Sequence, residues 1–275
     1  MLLTKIKPNW MHIHSLQNNS FIHFNLQTFG LNHVIPYDFI KSYNYLPPDK
    51  YIKKINCGNK KVITTDKINY ILNDEIVTRS RRYANLKIDV TDNYEYDIYH
   101  TTNNTFKQSV DDSRGIERTF ELIDLYHINQ SWILELITQV SALSILNNNY
   151  YKGHKKIKEV DVHIHQVRQT TYPNIDAHNS PEGVHRDGAD TIVSAYIINR
   201  NNIKGGESIV YDQHKQMIYK TVLNDHEGIF MEDVKQWHYV TPIECVGTGL
   251  GFRDIIVIDI ILNTYCFHFI ILMMK

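Results

Sequence analysis

The chain has only three cysteines, Cys57, Cys245 and Cys266, and no two of them form a CxxC pair. An odd, scattered set excludes a disulfide framework and favours a reducing compartment. No charge sign dominates: 29 Lys and Arg stand against 30 Asp and Glu, a formal charge of −1. Polyanion binding driven by counterion release needs a clustered basic surface, so no nucleic-acid partner is expected. The N-terminal MLLTKIKPNWMHIHSL is broken by charges and Pro8 and lacks the apolar core and cleavage site of a secretory signal. No repeat, linker or low-complexity tract divides the sequence. With 275 residues, 43% hydrophobic and 21% charged, one large globular domain or two small ones are feasible. These absences together lead to the expectation of a cytoplasmic globular protein.

The C-terminus holds the longest apolar stretch, IIVIDIILNTYCFHFIILMM from Ile255 to Met274. It has the length of a bilayer span, but Asp259 near its middle would be costly there. The β-branched IIVIDII reads instead as a buried strand, so no membrane is expected. The apolar tail 264–275 has no cap or turn signal and receives no assignment.

What the sequence has in abundance is histidine, 15 in all. Histidine is the commonest side-chain metal ligand, so spacing decides which of them matter. In the first half, residues 36–56 carry two short candidate helices around Pro47-Pro48. Tyr83 to Tyr99 alternates as strands. Asp111 to Ser113 offers a cap before a helical face at Ile116, Phe120, Ile123 and Tyr126 or His127. Ser131 caps a strong amphipathic helix through Leu146 that the Asn147–Asn149 run should end.

From residue 155 the pattern changes to period two. In Glu159 to Thr170, Val160, Val162, Ile164, Gln166, Arg168 and Thr170 share one face. Asp161, His163, His165, Val167 and Gln169 share the other. Strand-like runs recur at Thr191–Ile198, Glu207–Tyr211, Met217–Val222, Gly228–Glu232, His238–Pro242 and Arg253–Ile260. Many short strands at regular spacing predict an α+β protein, with a helical and mixed N-terminal half supporting a sandwich or barrel.

Between the first two of these strands lies PEGVHRDG. His185 and Asp187 are two apart, so an extended chain projects both from one face. His238 follows 53 residues beyond His185, at the start of another strand. Two imidazoles and one carboxylate form the facial triad of non-haem Fe(II) oxygenases, which leaves three coordination positions open. Arg253 comes 15 residues after His238. An arginine there can hold a carboxylate bidentately, and the distal carboxylate of 2-oxoglutarate is the candidate; a salt bridge with Asp254 is the bland alternative.

The stretch PEGVHRDGAD…IVSAYIINRNNIKGGESIVYD…KQWHYVTPIE…GFRDIIVIDI resembles the 2-oxoglutarate/Fe(II) dioxygenase family that includes bacterial L-isoleucine hydroxylases. The resemblance extends upstream through Arg79–Tyr83 and a helix at Arg118–Leu125, covering most of residues 35–263. It implies a double-stranded β-helix, a jelly-roll or cupin-like barrel. It also implies an iron triad at His185, Asp187 and His238 and an oxoglutarate arginine at Arg253. The implied organisation is an N-terminal extension (1–34), a support region (35–154), a catalytic core (155–263) and the tail. The implied cofactors are Fe(II), 2-oxoglutarate as co-substrate and dioxygen. The implied reaction is oxidation of a free aliphatic L-amino acid such as Ile, Leu or Met, with release of succinate and CO2. A peptide or natural-product precursor is the alternative substrate; an inactive metal-binding barrel acting as a binding module is the non-catalytic reading. Homo-oligomer formation is left open.

Other residues carry weaker expectations. Gln166 and Arg168 continue the apolar face of their strand, which should point inward, where a buried arginine needs an anion. Arg168 is therefore a candidate for the substrate carboxylate or oxoglutarate, with a buried structural pair as the alternative. Gly205-Gly206-Glu207 is a simple hairpin turn or a place of close packing near the site. Arg79, Arg81 and Arg82 form a solvated loop face or close over the substrate. The HxH pairs His12/His14 and His163/His165 lack a third ligand, and Trp237 is a core residue or a wall beside His238.

Overall fold

The structure, a computed structural model, describes residues 10–31, 34–52, 55–56, 71–72, 75–91, 96–107, 117–152 and 157–264. The expected cap at Asp111 to Ser113, with Ile116, and the tail 265–275 lie outside them. The fold is mixed α/β and rich in strands, and all its sheets are antiparallel.

A seven-stranded sheet runs in the order Phe21–Asn25, Glu227–Met231, Thr191–Asn201, Gly251–Thr264, Ile157–Thr171, Arg79–Val90 and Tyr96–His100. It draws strands from all three expected segments, so the boundaries at 34 and 154 fall within one continuous sheet. A three-stranded sheet orders Met217–Val222, Glu207–Tyr211 and Trp237–Val240. The strands from Ile157 onward follow the alternation seen in the sequence, some of them longer than expected by a few residues.

Alternation on the long strands sorts residues between two cores. Val160, Val162, Ile164, Ile256, Ile258 and Ile260 pack under the helical layer with Trp132, Ile133, Leu136, Ile137 and Val140. Val167, Ile192, Ala195, Ile197, Ile255 and Val210 form a second cluster on the opposite face of the large sheet. The most apolar face of Ile157–Thr171 therefore meets helices, and its more polar face looks toward the small sheet. This reverses the inward direction expected for Gln166 and Arg168. A strand buried on both faces gives no simple polar-out signal, so apolarity alone misassigned the side.

Three further expectations are corrected. The helix Ser131–Lys152 runs straight through the asparagine run, because Val140, Leu143 and Ile145 are held by tertiary packing that outweighs weak propensity. The expected helical face over 116–127, and the helix at Arg118–Leu125, give way to a strand at Arg118–Thr119 and a short helix at Leu125–Ile128 capped by Asp124. The extended segment between them donates from Ile123 N to Tyr83 O and accepts at Glu121 O from Tyr83 N, filling backbone positions along Arg79–Val90. Of the two helices around Pro47-Pro48, one forms at Tyr37–Ser42, followed by a turn of 3-10 helix, and none is seen after the prolines among the described residues. No helix among the described residues is long and apolar enough to cross a membrane.

Candidate metal centre and active site

His185, Asp187 and His238 come together at the mouth between the two sheets. The His185 and His238 backbones exchange hydrogen bonds of 3.0 and 2.9 Å, joining the HRDG segment to the edge of Trp237–Val240. Apart from that bridge the segment is irregular, so parity along a strand does not align the HxD pair. Asp233 does: its carboxylate accepts from the backbone N–H of Asp187, Gly188 and Ala189 at 3.1, 2.6 and 3.2 Å. Gly188 has φ +84°, a left-handed turn that suits glycine and lets the loop double back onto this acceptor.

The three side chains offer ligand atoms that all lie within 4.8 Å of one another. His185 Nε2 is 3.6 Å from Asp187 Oδ1, and His238 Nε2 is 3.4 Å from Asp187 Oδ2. Adjacent ligands about 2.1 Å from one first-row ion stand about 3 Å apart, so small rotations would close the set on a metal. The His185 ring is oriented for this: its Nδ1–H donates to Gly183 O at 2.9 Å, which leaves Nε2 as the atom that would ligate a metal. Glu182 Oε1 also stands 3.3 Å from that nitrogen.

Electrostatics agree with a cation site. Burial alone would lower the His185 imidazole, but hydrogen bonding and charge from Asp187, with Glu182, lift it to about 9. Asp187 resists burial because His238 and His185 draw its carboxyl down to about 2. Burial brings His238 down to about 4 despite Asp187, as a neutral ligand requires. Asp233, buried beside the Asp187 charge, rises to about 7. An ion at this point would substitute for the proton that His185 carries.

The triad opens onto a cleft that is lined also by Arg79, Arg81, Phe106, Arg118, His165 and Asp259 among others. Arg79 and Arg81 are buried on the cleft face of their strand, not solvated on a loop. Arg79 is neutralised by Asp49 at 2.8 Å, while Arg82 turns away to Glu121 at 3.6 Å. Ser194 enters the lining at a β-bulge between Val193 and Ala195.

Arg253 lies on the cleft face of its own strand, one row beyond this lining, and is fully buried. Its Nε and Nη2 donate to Gln169 Oε1 at 2.9 and 2.5 Å, and Nη1 donates to Gly206 O at 3.2 Å. Its partner is not Asp254. The glycine pair proves to be a place of close packing: a Cβ on Gly206 would come within 2.9 Å of Arg253 Nη1, and one on Gly205 within 2.3 Å of Pro242 O.

Arg168 and Gln166 are not brought to the cleft. Arg168 forms a two-pronged pair with Asp254 at 2.6 and 2.7 Å, directly across the strand, and Gln166 donates to Ser42 at 2.7 Å. The anion that a buried arginine needs is supplied by the fold itself. Trp237 carries Arg186 and Lys215 over its ring at 4.5 and 4.0 Å from the centroid. Neither HxH pair belongs to a metal-ready cluster; among the described residues that cluster is the triad. Sequence reasoning missed Asp233, Arg118 and Asp259 as site residues. The available signal was parity: Asp259 shares its strand face with Arg253.

Two expected results arise from this geometry. D233A removes the acceptor for three loop N–H groups and should weaken Fe(II) binding about 10–100-fold, as losses behind the metal ligands typically do. D233N, which keeps one acceptor oxygen, should lose less; equal affinity in wild type and D233A would exclude this positioning role. The second concerns acid. Burial, followed by the charge of Arg81, pushes the His165 imidazole well below its usual 6.5. The folded protein keeps it neutral while the unfolded chain protonates it. Its contribution is full above about pH 6.5 and falls by up to ~1.4 kcal/mol per pH unit below it. Urea unfolding from about pH 7.5 to 5 should lose stability more steeply for wild type than for H165Q, and parallel curves would contradict this.

A 2OG-Fe dioxygenase family profile matches residues 41–259, and the chain belongs to that family. It is thus a 2-oxoglutarate-dependent dioxygenase, of a family that uses Fe(II), 2-oxoglutarate and dioxygen. A bsmA homolog from Methylobium petroleophilum PM1 shares its fold with TM-score 0.70, at 18% identity over 94% of this chain and 96% of that one. IDO from Bacillus thuringiensis aligns with TM-score 0.67, at 16% identity over 92% and 99%. The Fe(II)/(alpha)ketoglutarate-dependent dioxygenase TqaL aligns with TM-score 0.58, at 11% identity over 93% and 87%. No curated protein matches the sequence.

Proposed function

We propose that this dioxygenase is a double-stranded β-helix enzyme that oxidises a free aliphatic L-amino acid such as Ile, Leu or Met. The site would hydroxylate a C–H bond, or oxidise sulfur. His185, Asp187 and His238 would hold the iron, and the observation that carries this is their convergence within 4.8 Å behind an arginine-lined cleft. With 2-oxoglutarate and dioxygen, bound iron supplies the oxidising power to place one oxygen atom on the substrate, with succinate and CO2 as co-products.

The chain's own residues do the rest. His185 and His238 present Nε2 lone pairs and Asp187 its carboxylate from one side, leaving the cleft side for small molecules. Arg253 is the anchor for the far carboxylate of 2-oxoglutarate. Three of its five N–H donors are used internally, so two remain for a bidentate partner. Burial, with Arg200 nearby, lowers its guanidinium to about 9, the behaviour of a desolvated cation in want of an anion. Val167, Val257 and Phe106 give the cleft apolar walls that exclude water and strengthen these contacts.

The test is incubation of purified protein with Fe(II), ascorbate, 2-oxoglutarate and each free amino acid. Succinate together with a one-oxygen mass gain in an aliphatic amino acid is expected. Succinate without any oxygenated amino acid would sink the substrate assignment and leave the peptide and natural-product alternatives.

A further inference from the structure

The wall of the cleft on the large sheet holds two ionisable groups with unfilled hydrogen-bonding capacity. Arg81 is 8% exposed; its Nη2 meets His165 Nδ1 at 2.6 Å and its plane lies 4.3 Å over the Phe120 ring. Its Nε–H has no partner among the described residues. Asp259 is 4% exposed, its Oδ2 is 3.4 Å from His165 Nε2, and its Oδ1 has no partner among the described residues. Both line the cleft that holds the triad, and Arg118 stands beside them with its guanidinium 5.3 Å over Phe106.

A buried guanidinium and a buried carboxyl at separate points of one small cleft are costly without counter-charges. The fold supplies Asp49 to Arg79 and Asp254 to Arg168, but the Arg81 Nε–H and Asp259 Oδ1 are buried without a hydrogen-bond partner among the described residues, in side chains that line the cleft. Burial, with Arg79 nearby, lowers the Arg81 guanidinium to about 9, and burial raises the Asp259 carboxyl well above its usual range. Each group is stripped of water; opposite charge reaches Arg81 from Asp49 and Asp259, and Asp259 from Arg81 and Arg118, yet each keeps one polar atom without a hydrogen bond among the described residues.

We propose that Arg81, aided by Arg118, takes the α-carboxylate of the substrate and that Asp259 takes its α-ammonium. The clamp rests on the amino-acid reading above and deepens it, because it assigns recognition of both charges to named residues. A single His165 ring separates the two groups, with Arg81 Nη2 2.6 Å from its Nδ1 and Asp259 Oδ2 3.4 Å from its Nε2, so a cation and a carboxyl are presented at the two ends of one histidine side chain. The clamp leaves the side chain as the part free to reach toward the triad. It rejects peptides, whose internal residues carry neither charge.

The test uses the iron-loaded enzyme with L-leucine, L-isoleucine and L-methionine, and with N-acetyl-L-leucine and L-leucinamide, each of which lacks one charge. For the wild type, blocking either end should raise KM about 30–100-fold, the size expected for losing a charge-assisted contact. R81M should raise KM for leucine by a similar factor and bring leucine and leucinamide within about threefold of each other. D259N should do the same for leucine against N-acetyl-L-leucine. Calorimetry of leucine binding under nitrogen, with 2-oxoglutarate present, should show matching losses in affinity, and thermal melting checks that both variants are folded. If neither variant folds, the blocked substrates on the wild type still decide. Wild type that oxidises a free amino acid but accepts the blocked forms equally well would overturn the clamp alone, as would unchanged KM in both variants. A rise in the 2-oxoglutarate Kd of R81M without loss of leucine binding would move Arg81 to the co-substrate and likewise overturn it. Oxidation of no free amino acid by the wild type would remove the amino-acid reading and the clamp together.

Discussion

Replacing His185 with alanine is expected to weaken Fe(II) binding by more than about 100-fold and to abolish succinate formation at limiting iron. Losing a partner behind a ligand already costs about 10–100-fold, so loss of one of three ligands must cost more. The His185 Nε2 and both Asp187 oxygens lie within 3.6 Å of one another or of His238 Nε2, and no fourth member completes a substitute cluster among the described residues. Glu182, 3.3 Å from the same nitrogen, is the nearest replacement carboxylate, so H185A/E182A should extinguish residual binding. Because His185 is partly exposed at the cleft mouth, melting of the metal-free variant should stay close to wild type. Full turnover by H185A would remove the triad from the account.

Arg253 carries the second large effect. R253M deletes both donors available to the far carboxylate, and KM for 2-oxoglutarate should rise at least about 100-fold, two charge-assisted hydrogen bonds being involved. The same change leaves Gln169 Oε1 and Gly206 O without their donor in a fully buried place, so stability should drop by ~1–3 kcal/mol. R253K separates the two effects. It restores a charge but not the fork, so oxoglutarate KM should recover only in part. A KM within about threefold of wild type in R253M, measured on folded protein, would show that the co-substrate is held elsewhere.

The legible part of this molecule was whatever repeats with a short period or recurs at fixed spacing. Alternation marks the strands from Ile157 onward, and spacing and order single out HxD and His238, which the fold brings within reach of one ion, and Arg253, whose oxoglutarate role is proposed. What failed was direction and distance. The apolar face of Ile157–Thr171 was read as the site side, yet both faces are covered, and the helical layer claims the more apolar one. That error sent Arg168 toward the cleft, when Asp254 directly across the strand neutralises it. Asp233 went unseen because its function is to accept three N–H groups from a loop about 45 residues earlier, and no local pattern encodes that. Phe120 and Ile123 lie at helical spacing, but backbone bonding to Tyr83 makes their segment extended, a case of tertiary context overriding a periodic signal.

The most direct measurement is iron-dependent conversion of 2-oxoglutarate to succinate by the wild type, compared with D187A under the same conditions. Succinate from the wild type should require Fe(II) and dioxygen, increase with a cognate amino acid, and be absent from D187A. Equal succinate from D187A, or none from iron-loaded wild type with any amino acid, would contradict this.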